Sequence, residues 1–435
     1  MPQRHRESEN LSTVLGTFRS LRVFNYRLWA AGSVVSNIGT WMQRTAQDWL
    51  VLTELTHHNA TAVGIVMALQ FGPQLLLLPW TGYAADHMDR RKLLLATQAG
   101  MGALALILGI LTVTHHVTLW EVYVFAFLFG CVSAFDAPAR QVFVNQLVGE
   151  DHLSNAVGLN STSFNAGRMI GPAAAGLTIA AIGTGWAFIL NGLSFVAVLT
   201  SLYFLRLHEL HHHERAVKKR GGITEGFIYV WNRPDLRASC IMLAFIGTFG
   251  FNFAIFISTM AVSVFHAGAS RYGFLSSMMA VGTVSGALLA AGREKATFPL
   301  LCYGAAVFGV GCALAAIMPN YWLFAVMLVI VGMAALTFAN SSNSLMQLAT
   351  EPAMRGRVMA IRLAIALGGT PIGAPIVGWV ADTWGPRWSI GCAAASGIAA
   401  TFVGVRYLMK HEDHRWYFTR GRVRFAPPNT EATAP

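Results

Sequence analysis

Twelve apolar stretches, each long enough to cross a membrane as a helix, constrain this chain more than any other feature. About 20 apolar residues in a helix span the hydrocarbon core of a bilayer. Only 12% of the 435 residues are charged, whereas a soluble domain would carry about 25%. The pattern predicts an all-α membrane protein with twelve transmembrane helices in two pseudo-symmetric six-helix bundles. We number the stretches as spans 1 to 12, at 28–54, 61–82, 93–115, 119–146, 156–182, 186–206, 239–265, 273–292, 298–318, 321–349, 358–384 and 387–409.

The basic residues predict how the spans are oriented. If both termini lie on one side, 26 of the 31 Lys and Arg residues fall on that side, and only Arg271 and Arg387 fall in loops on the other. Lys and Arg accumulate on the cytoplasmic side of membrane proteins. We therefore expect a multi-pass protein of the cytoplasmic membrane with both termini inside. No apolar signal sequence is recognisable in the polar residues 1–10.

A long polar stretch, residues 206–222, divides the spans six and six. The halves repeat each other at an offset of 202, where Gly167 and Gly171 match Gly369 and Gly373. Such repeats are typical of transporters. We expect a cytoplasmic N-terminal segment at 1–27 and a first bundle at 28–206. A linker with an amphipathic helix follows at 207–238, then a second bundle at 239–409 and a basic tail at 410–435. The histidine-rich polar stretch is interpreted as a solvated linker between the halves, and metal binding by its histidines is the alternative.

The stretch GYAADHMDRRK, residues 82–92, concentrates charge between spans 2 and 3. Gly82 would allow close helix packing, and Asp86 can accept bonds from a helix N-terminus or an arginine. Arg90 and Arg91 can hold carboxylates or helix C-termini. Bonds that form in one state and break in another predict a conformational latch, and a plain stop-transfer charge cluster is the alternative.

This loop resembles the Gly-x-x-x-Asp-x-x-Gly-Arg-Arg/Lys motif of the major facilitator superfamily. Gly82, Asp86, Arg90 and Arg91 match the motif, and Asp89 replaces its second glycine, as in the enterobactin-exporter-like branch of drug:proton antiporters. NIGTWMQRTAQDWLVLTEL, AFDAPARQVFVNQLV and GRVMAIRLAIALGGTPIGAPIVG resemble the same branch. The resemblance covers about residues 20–410 and implies the major facilitator fold, with the added acid tolerated in the latch.

Span 5 resembles the antiporter motif of that family, Gly-x8-Gly-x3-Gly-Pro-x2-Gly-Gly. The matching positions are Gly158, Gly167, Gly171, Pro172 and Gly176. Ala175 replaces one glycine. The motif is characteristic of family members that exchange substrate for protons, so the resemblance implies antiport. Glycine also permits close packing and proline kinks a helix, so generic packing is the alternative.

Six ionisable residues lie within the spans or near their ends: Arg44, Asp48, Asp136, Arg140, Arg168 and Arg362. Each would cost roughly 2.5–3.5 kcal/mol at a helix centre, so we expect them to face inward. A carboxylate whose arginine partner comes and goes can act as a proton switch. Asp48 and Asp136 are the candidate proton carriers, and permanent structural ion pairs are the alternative.

The arginines near these acids are predicted to act as gates or anchors. Arg44 and Arg168 are candidate gating partners, and Arg362 is a gate or an anchor. Asp136 favours the structural alternative, because with Arg140 it lies near the inner surface and can belong to the latch.

Polar and aromatic residues predict a substrate cavity. In the family, spans 1, 4, 7 and 10 line the central cavity. The polar and aromatic candidates in these spans of the chain are Asn37, Trp41, Ser133, Asn252, Phe253, Asn340 and Asn343. Amides and aromatics suit an amphipathic molecule better than a sugar or an inorganic anion.

The leading hypothesis is a monomeric secondary transporter that exports small amphipathic molecules, such as xenobiotics or siderophores, in exchange for protons. An uncoupled facilitator or an importer of the same fold is the alternative, and a membrane-embedded sensor or enzyme comes third. We expect no enzyme, because no Ser-His set, phosphate loop or paired-histidine site is recognisable. No cofactor or metal is expected. No nucleic-acid partner is expected either, since the Lys and Arg residues lie in short loops between apolar spans.

Overall fold

The computed structural model of the protein describes residues 18–211, 223–291, 297–411, 415–419 and 422–426. Its helices are α1 (Phe24–Trp49), α2 (Ala60–Leu76), α3 (Leu78–His87), α4 (Arg90–Val113), α5 (Leu119–Leu147), α6 (Glu150–Ile182), α7 (Thr184–Tyr203), α8 (Ile223–Asn232), α9 (Pro234–Phe245), α10 (Phe253–Thr259), α11 (Ala269–Ala291), α12 (Phe298–Ile317), α13 (Tyr321–Ala349), α14 (Arg355–Trp384) and α15 (Pro386–His411). Two antiparallel strands, β1 (Arg415–Thr419) and β2 (Arg422–Ala426), follow.

Within the described residues, nine helical segments are long and apolar enough to cross a membrane, and the bent pair α2–α3 makes a tenth. The pair bends by 59° at Leu77. α1 and α6 have 26 and 33 residues, long enough to span, but their polar residues keep them below that apolarity. α1 contains Arg44 and Asp48, and α6 contains Arg168. These charged residues, discussed below, lower the apolarity of the two helices.

The chain forms two compact units. The first consists of Met1–Lys218 and Ile257–Ser277, and the second of Lys219–Phe256 and Met278–Pro435. The segment Ile257–Ser277 therefore packs with the first unit, although it lies in spans 7 and 8. The predicted division into bundles at 28–206 and 239–409 stays a prediction.

In the first unit, α1 packs along α6 and α7, and α4 packs along α5 and α7. A core of large apolar side chains fills one end of this arrangement, with Trp29, Phe143 and Leu202 almost fully buried. In the second unit, α12 packs along α13 and α15. Small residues such as Gly309 and Gly397 let the backbones of α12 and α15 touch.

In the part of the chain that the structure describes, three short π-helical segments interrupt the regular helices, at Leu50–Leu55, Ile246–Gly250 and Met260–Val264. Such segments are frequent at functional sites because they loosen the regular hydrogen-bond ladder. The first begins directly after Asp48 and Trp49, at the end of α1. This position places a local irregularity beside the predicted proton carrier.

The amphipathic helix predicted after the linker is α8. Its Phe227, Ile228 and Trp231 are more than half exposed, while Val230 packs on Met346 and Val358. An exposed aromatic face on a short helix suits the membrane interface. The histidine-rich stretch before it lies largely outside the described residues.

Candidate transport site

Two arginines meet inside the first unit, around Trp41, and an aspartate lies near one of them. The guanidinium of Arg44 lies 5.0 Å from the ring centres of both Trp41 and Phe71, and that of Arg168 lies 5.7 Å from Trp41. The Nε atom of Arg44 is buried without a hydrogen-bond partner. Guanidinium groups stack favourably on aromatic faces. Trp41 thus brings two positive charges together in a part of the protein where charge is costly.

Asp48 lies one turn beyond Arg44 on α1 and is only 7% exposed. Among the described residues, no ion pair within 4 Å involves Asp48. Its Oδ2 atom instead accepts a hydrogen bond of 3.4 Å from the hydroxyl of Tyr272. The carboxylate therefore lies near the guanidinium of Arg44 without forming an ion pair with it.

Tyr272 was not predicted as a site residue. It lies in the first turn of α11, is 2% exposed, and stacks on Trp49 with 5.9 Å between ring centres. Its ring and hydroxyl thus engage two consecutive residues of α1. The stretch ASRYG, residues 269–273, reads as a loop before span 8, and hydropathy does not indicate which helix it docks against.

The motif glycines of α6 form the seam that positions these groups. A Cβ atom at Gly167 would lie 2.8 Å from the backbone of Asn37, and one at Gly171 would lie 2.6 Å from Cβ of Trp41. Gly158 has no atom within 4 Å of such a Cβ among the described residues, so close packing is not what it provides.

α11 packs against the opposite part of the same motif. The side chains of Ser270 and Ser277 donate to the carbonyl oxygens of Gly176 and Met169, over 3.2 and 2.8 Å. Gly273 lies against the carbonyl of Pro172. One helix, α6, therefore holds Trp41 on one side and the start of α11, with Tyr272, on the other.

Asp136 is fully engaged in the first unit. Its Oδ1 accepts from Thr97 at 2.9 Å and Gln98 at 2.6 Å, and its Oδ2 pairs with Arg140 at 3.1 Å. Arg140 also lies over the ring of Trp29. A carboxylate bound by three partners favours the structural alternative over proton transfer.

Two of the latch residues, Arg91 and Asp89, contact helix ends. Arg91 donates to the carbonyl oxygens of Leu202 and Tyr203, the last residues of α7, over 2.8 and 3.3 Å, which is the helix C-terminus contact that the loop predicts. Asp89 caps α4 by accepting from the backbone N–H of Lys92. The contact itself agrees with the motif, while its making and breaking stay a prediction.

The close helix contact expected at Gly82 stays a prediction. A Cβ atom there would meet nothing within 4 Å among the described residues. The bend between α2 and α3 at Leu77 turns this segment away from the direction of α2, and Gly82 follows it. The Asp86 side chain lies outside the described part of the chain, and Arg90 makes further contacts.

The other predicted cavity residues lie in both units. In the first, Asn37 donates to Ser163 over 3.0 Å, and Ser133 is half-buried on α5. In the second, Asn252 is buried and donates to Thr248, while Phe253 packs on Phe308. Half-buried positions on α13 hold Asn340 and Asn343. Arg362 donates to the carbonyl oxygen of Ala339 over 3.0 Å, which joins α14 to α13 as an anchor would.

No group of three His, Cys, Asp or Glu side chains suited to a metal occurs in the described part of the chain.

A family model described as transmembrane secretion effector matches residues 15–431, nearly the whole chain. The chain belongs to the major facilitator superfamily. It is 25% identical over 371 residues to the staphyloferrin A transporter of Staphylococcus aureus (strain NCTC 8325 / PS 47), covering 84% of this chain and 92% of that protein. It is 25% identical to the multidrug efflux pump Tap of Mycolicibacterium fortuitum, covering 86% and 90%. It is 24% identical to the enterobactin exporter EntS of Shigella flexneri, covering 88% and 90%.

Among solved structures, an inward-facing, occupied bacterial homologue of the human lysosomal transporter Spinster has a TM-score of 0.67 with 14% identity. The match covers 92% of this chain and 99% of that one. This superfamily member has the major facilitator fold. The resemblance to the enterobactin-exporter-like branch is confirmed, and the protein is a multi-pass transporter of the inner membrane, not an enzyme.

Proposed function

We propose that this transporter exports small amphipathic molecules, of the xenobiotic or siderophore class, in exchange for protons. The observation that carries the proposal is the buried carboxylate of Asp48, held by Tyr272 beside Arg44 and without an ion pair within 4 Å in the described residues. The names of the relatives, which mention staphyloferrin A, multidrug efflux and enterobactin, support the substrate classes. The transporter acts as a monomer with both termini in the cytoplasm.

Asp48 is the proton carrier. When it is ionised, the neighbouring guanidinium of Arg44 stabilises its charge, and the hydroxyl of Tyr272 donates to it. When it is protonated, the attraction to Arg44 is lost, and the contact between α1 and the start of α11 changes. A conformational change driven by a proton requires such a difference in contacts between two states.

The proton gradient supplies the free energy. Each proton that moves down a potential of 100 mV is worth roughly 2.3 kcal/mol. The wall of Trp41 and Phe71 offers an aromatic surface for the apolar part of a substrate. An antiporter needs the loaded and the protonated states to exclude each other, so substrate and proton must alternate at this cluster.

One observation favours the second candidate, an importer. Arg44 and Arg168 together carry one more charge than Asp48 can balance, and an anionic substrate would balance it. An anion beside Asp48 favours the protonated carboxyl, which would move substrate and proton in the same direction.

The deciding experiment compares wild type, Asp48→Asn and the control Asp151→Asn in proteoliposomes that contain a pH-sensitive dye. Asp151 is exposed in the first turn of α6, away from the cluster. A panel of dyes, antibiotics and siderophores is added, and proton movement is recorded with substrate flux.

We expect opposite movement of substrate and protons in wild type and Asp151→Asn, and substrate binding without proton movement in Asp48→Asn. Flux without protons in wild type would make the protein a facilitator. Parallel movement would make it a symporter.

A further inference from the structure

Helix α8 exposes an apolar stripe on one of its sides. The stripe consists of Phe227, Ile228 and Trp231, each more than half exposed. Phe227 and Ile228 precede Trp231 by four and three residues, which is the spacing of one helix face. The next helix, α9, begins at Pro234 and belongs to a segment long and apolar enough to cross a membrane. The stripe therefore adjoins a membrane-spanning helix, where lipid can cover it.

The opposite side of α8 is held by the rest of the second unit. Arg357, at the start of α14, donates to the carboxylate of Glu225 over 2.7 Å. A Cβ atom at Gly226 would lie 2.8 Å from Cβ of Arg357, so the two helices approach closely. The hydroxyl of Tyr229 accepts from the backbone N–H of Glu351 over 3.4 Å. These contacts determine which side of α8 is covered by protein and which side is exposed.

One arginine beside the stripe, Arg237 on α9, has no carboxylate within 4 Å among the described residues. Its guanidinium lies 5.8 Å from the ring centre of Trp231 and donates to the carbonyl oxygen of the same residue over 3.4 Å. The nearest acid along the chain, Asp235, is bound instead by Arg233, through two contacts of 3.1 and 2.8 Å. Arg237 is half-buried, so its charge is partly removed from water. An anion beside it would offset the cost of that burial.

We propose that the corner between α8 and α9 is a binding site for an anionic phospholipid. The phosphate of the lipid binds the guanidinium of Arg237, and its acyl chains lie along Phe227, Ile228 and Trp231. A guanidinium presents several N–H donors to phosphate oxygens. Tryptophan is enriched where the hydrocarbon of a membrane meets the headgroups, and basic residues next to transmembrane helices recognise anionic headgroups.

The composition of this corner favours an anionic lipid over a soluble anion or a neutral lipid. A free phosphate would pair with Arg237 and leave three large apolar side chains exposed. A lipid without net charge would cover those side chains and leave the positive charge of Arg237 less well balanced. An anionic phospholipid satisfies both parts, because one molecule carries a net negative headgroup and acyl chains. Since α8 is bound to the start of α14, a lipid held here also stabilises that helix contact.

The test measures lipid binding to the purified, delipidated full-length transporter by native mass spectrometry. The probes are phosphatidylglycerol, which is anionic, and phosphatidylcholine, which has no net charge, with the same acyl chains. Arg237→Gln removes the charge, Arg237→Lys keeps it, and Trp231→Ala removes part of the stripe. Arg27→Gln is the matched control, because Arg27 is exposed in the first unit and its guanidinium also lies 5.8 Å from an aromatic ring, that of Phe24.

We expect the first lipid bound to wild type to show about a fivefold preference for phosphatidylglycerol, the contribution of one basic residue beside an anionic headgroup. Arg27→Gln and Arg237→Lys should keep this preference, and Arg237→Gln should lose it. Trp231→Ala should weaken both lipids by a similar factor, because it removes apolar contact and no charge. Trp231 is exposed and Arg237 is half-buried, so these variants should fold.

An unchanged preference for phosphatidylglycerol in Arg237→Gln would overturn the proposal, and so would an equal loss of preference in Arg27→Gln. If Arg237→Gln weakened both lipids to the same degree, the arginine would only support the fold of this corner, and the headgroup site would fall. Displacement of bound phosphatidylglycerol by inorganic phosphate would assign Arg237 to a soluble anion and would also overturn the proposal.

Discussion

At the residue scale, Asp136 and Asp48 differ in what binds them. Among the described residues, Asp136 has three partners, including Arg140, whereas Asp48 has a single hydrogen bond to Tyr272. Asp136→Asn should therefore lower the free energy of unfolding by about 3 kcal/mol, because the partly buried charge of Arg140 loses its partner. The melting temperature of the purified protein checks this prediction.

The control for Asp136→Asn is Asp235→Asn, which breaks the more exposed ion pair with Arg233. It should cost at most about 1 kcal/mol. The ratio of protons to substrate in the surviving Asp136→Asn protein should equal that of wild type. A normal melting temperature with an altered ratio would make Asp136 a proton carrier after all.

Individual residues also show which parts of the site could be predicted from the sequence. Arg44, Asp48 and Trp41 were predictable because charge and helical spacing place them on one face of α1. Tyr272 was not, because its role depends on which helix α11 docks against. Close packing at Gly82 stays a prediction, because a motif match does not reveal which residues surround it after the bend at Leu77.

At the element scale, two motif glycines of α6 should respond oppositely to one added methyl group. Gly171→Ala would push against Cβ of Trp41, so we expect a loss of about 1–3 kcal/mol in stability and a disturbed Trp41 site. Gly158→Ala meets open space, so it should stabilise α6 by up to about 1 kcal/mol. Melting temperatures and transport rates of both variants test this contrast.

Equal losses at the two positions would mean that the motif acts through helix flexibility and not through close packing.

The helices themselves were predictable from apolar length. Their breaks were less so, because the spacing of apolar residues places neither the π segment at Leu50–Leu55 nor the α2–α3 bend, which lies between Pro73 and Pro79. The strands β1 and β2 lie in a basic, aromatic tail where no span pattern indicated a hairpin.

At the scale of the whole molecule, the distribution of basic residues predicts which loops face the cytoplasm. A cysteine at His116, an exposed residue between α4 and α5, should react with a membrane-impermeant maleimide in intact cells. A cysteine at Met88, 54% exposed between α3 and α4, should react only after permeabilisation. The five native cysteines are replaced in both variants. The reverse pattern would place both termini outside.

The sign of proton coupling is also a property of the whole molecule, because substrate and proton affinities are linked reciprocally. If substrate binding expels the proton from Asp48, the apparent substrate affinity falls as the pH is lowered. We expect wild type to bind substrate more weakly at about pH 5.5 than at about pH 8, a range in which perturbed carboxyl groups in proteins can titrate. Asp48→Asn should bind equally at both.

The two arginines make this measurement decisive. A positively charged substrate favours the ionised carboxylate of Asp48, and a neutral one competes with the protonated carboxyl only through space. An anion would instead satisfy the excess charge of Arg44 and Arg168, and it would bind more tightly as the pH falls. Tighter binding at low pH, abolished in Asp48→Asn, would mean that proton and substrate travel together. The same cluster would then drive uptake, and the export proposal would have to be abandoned.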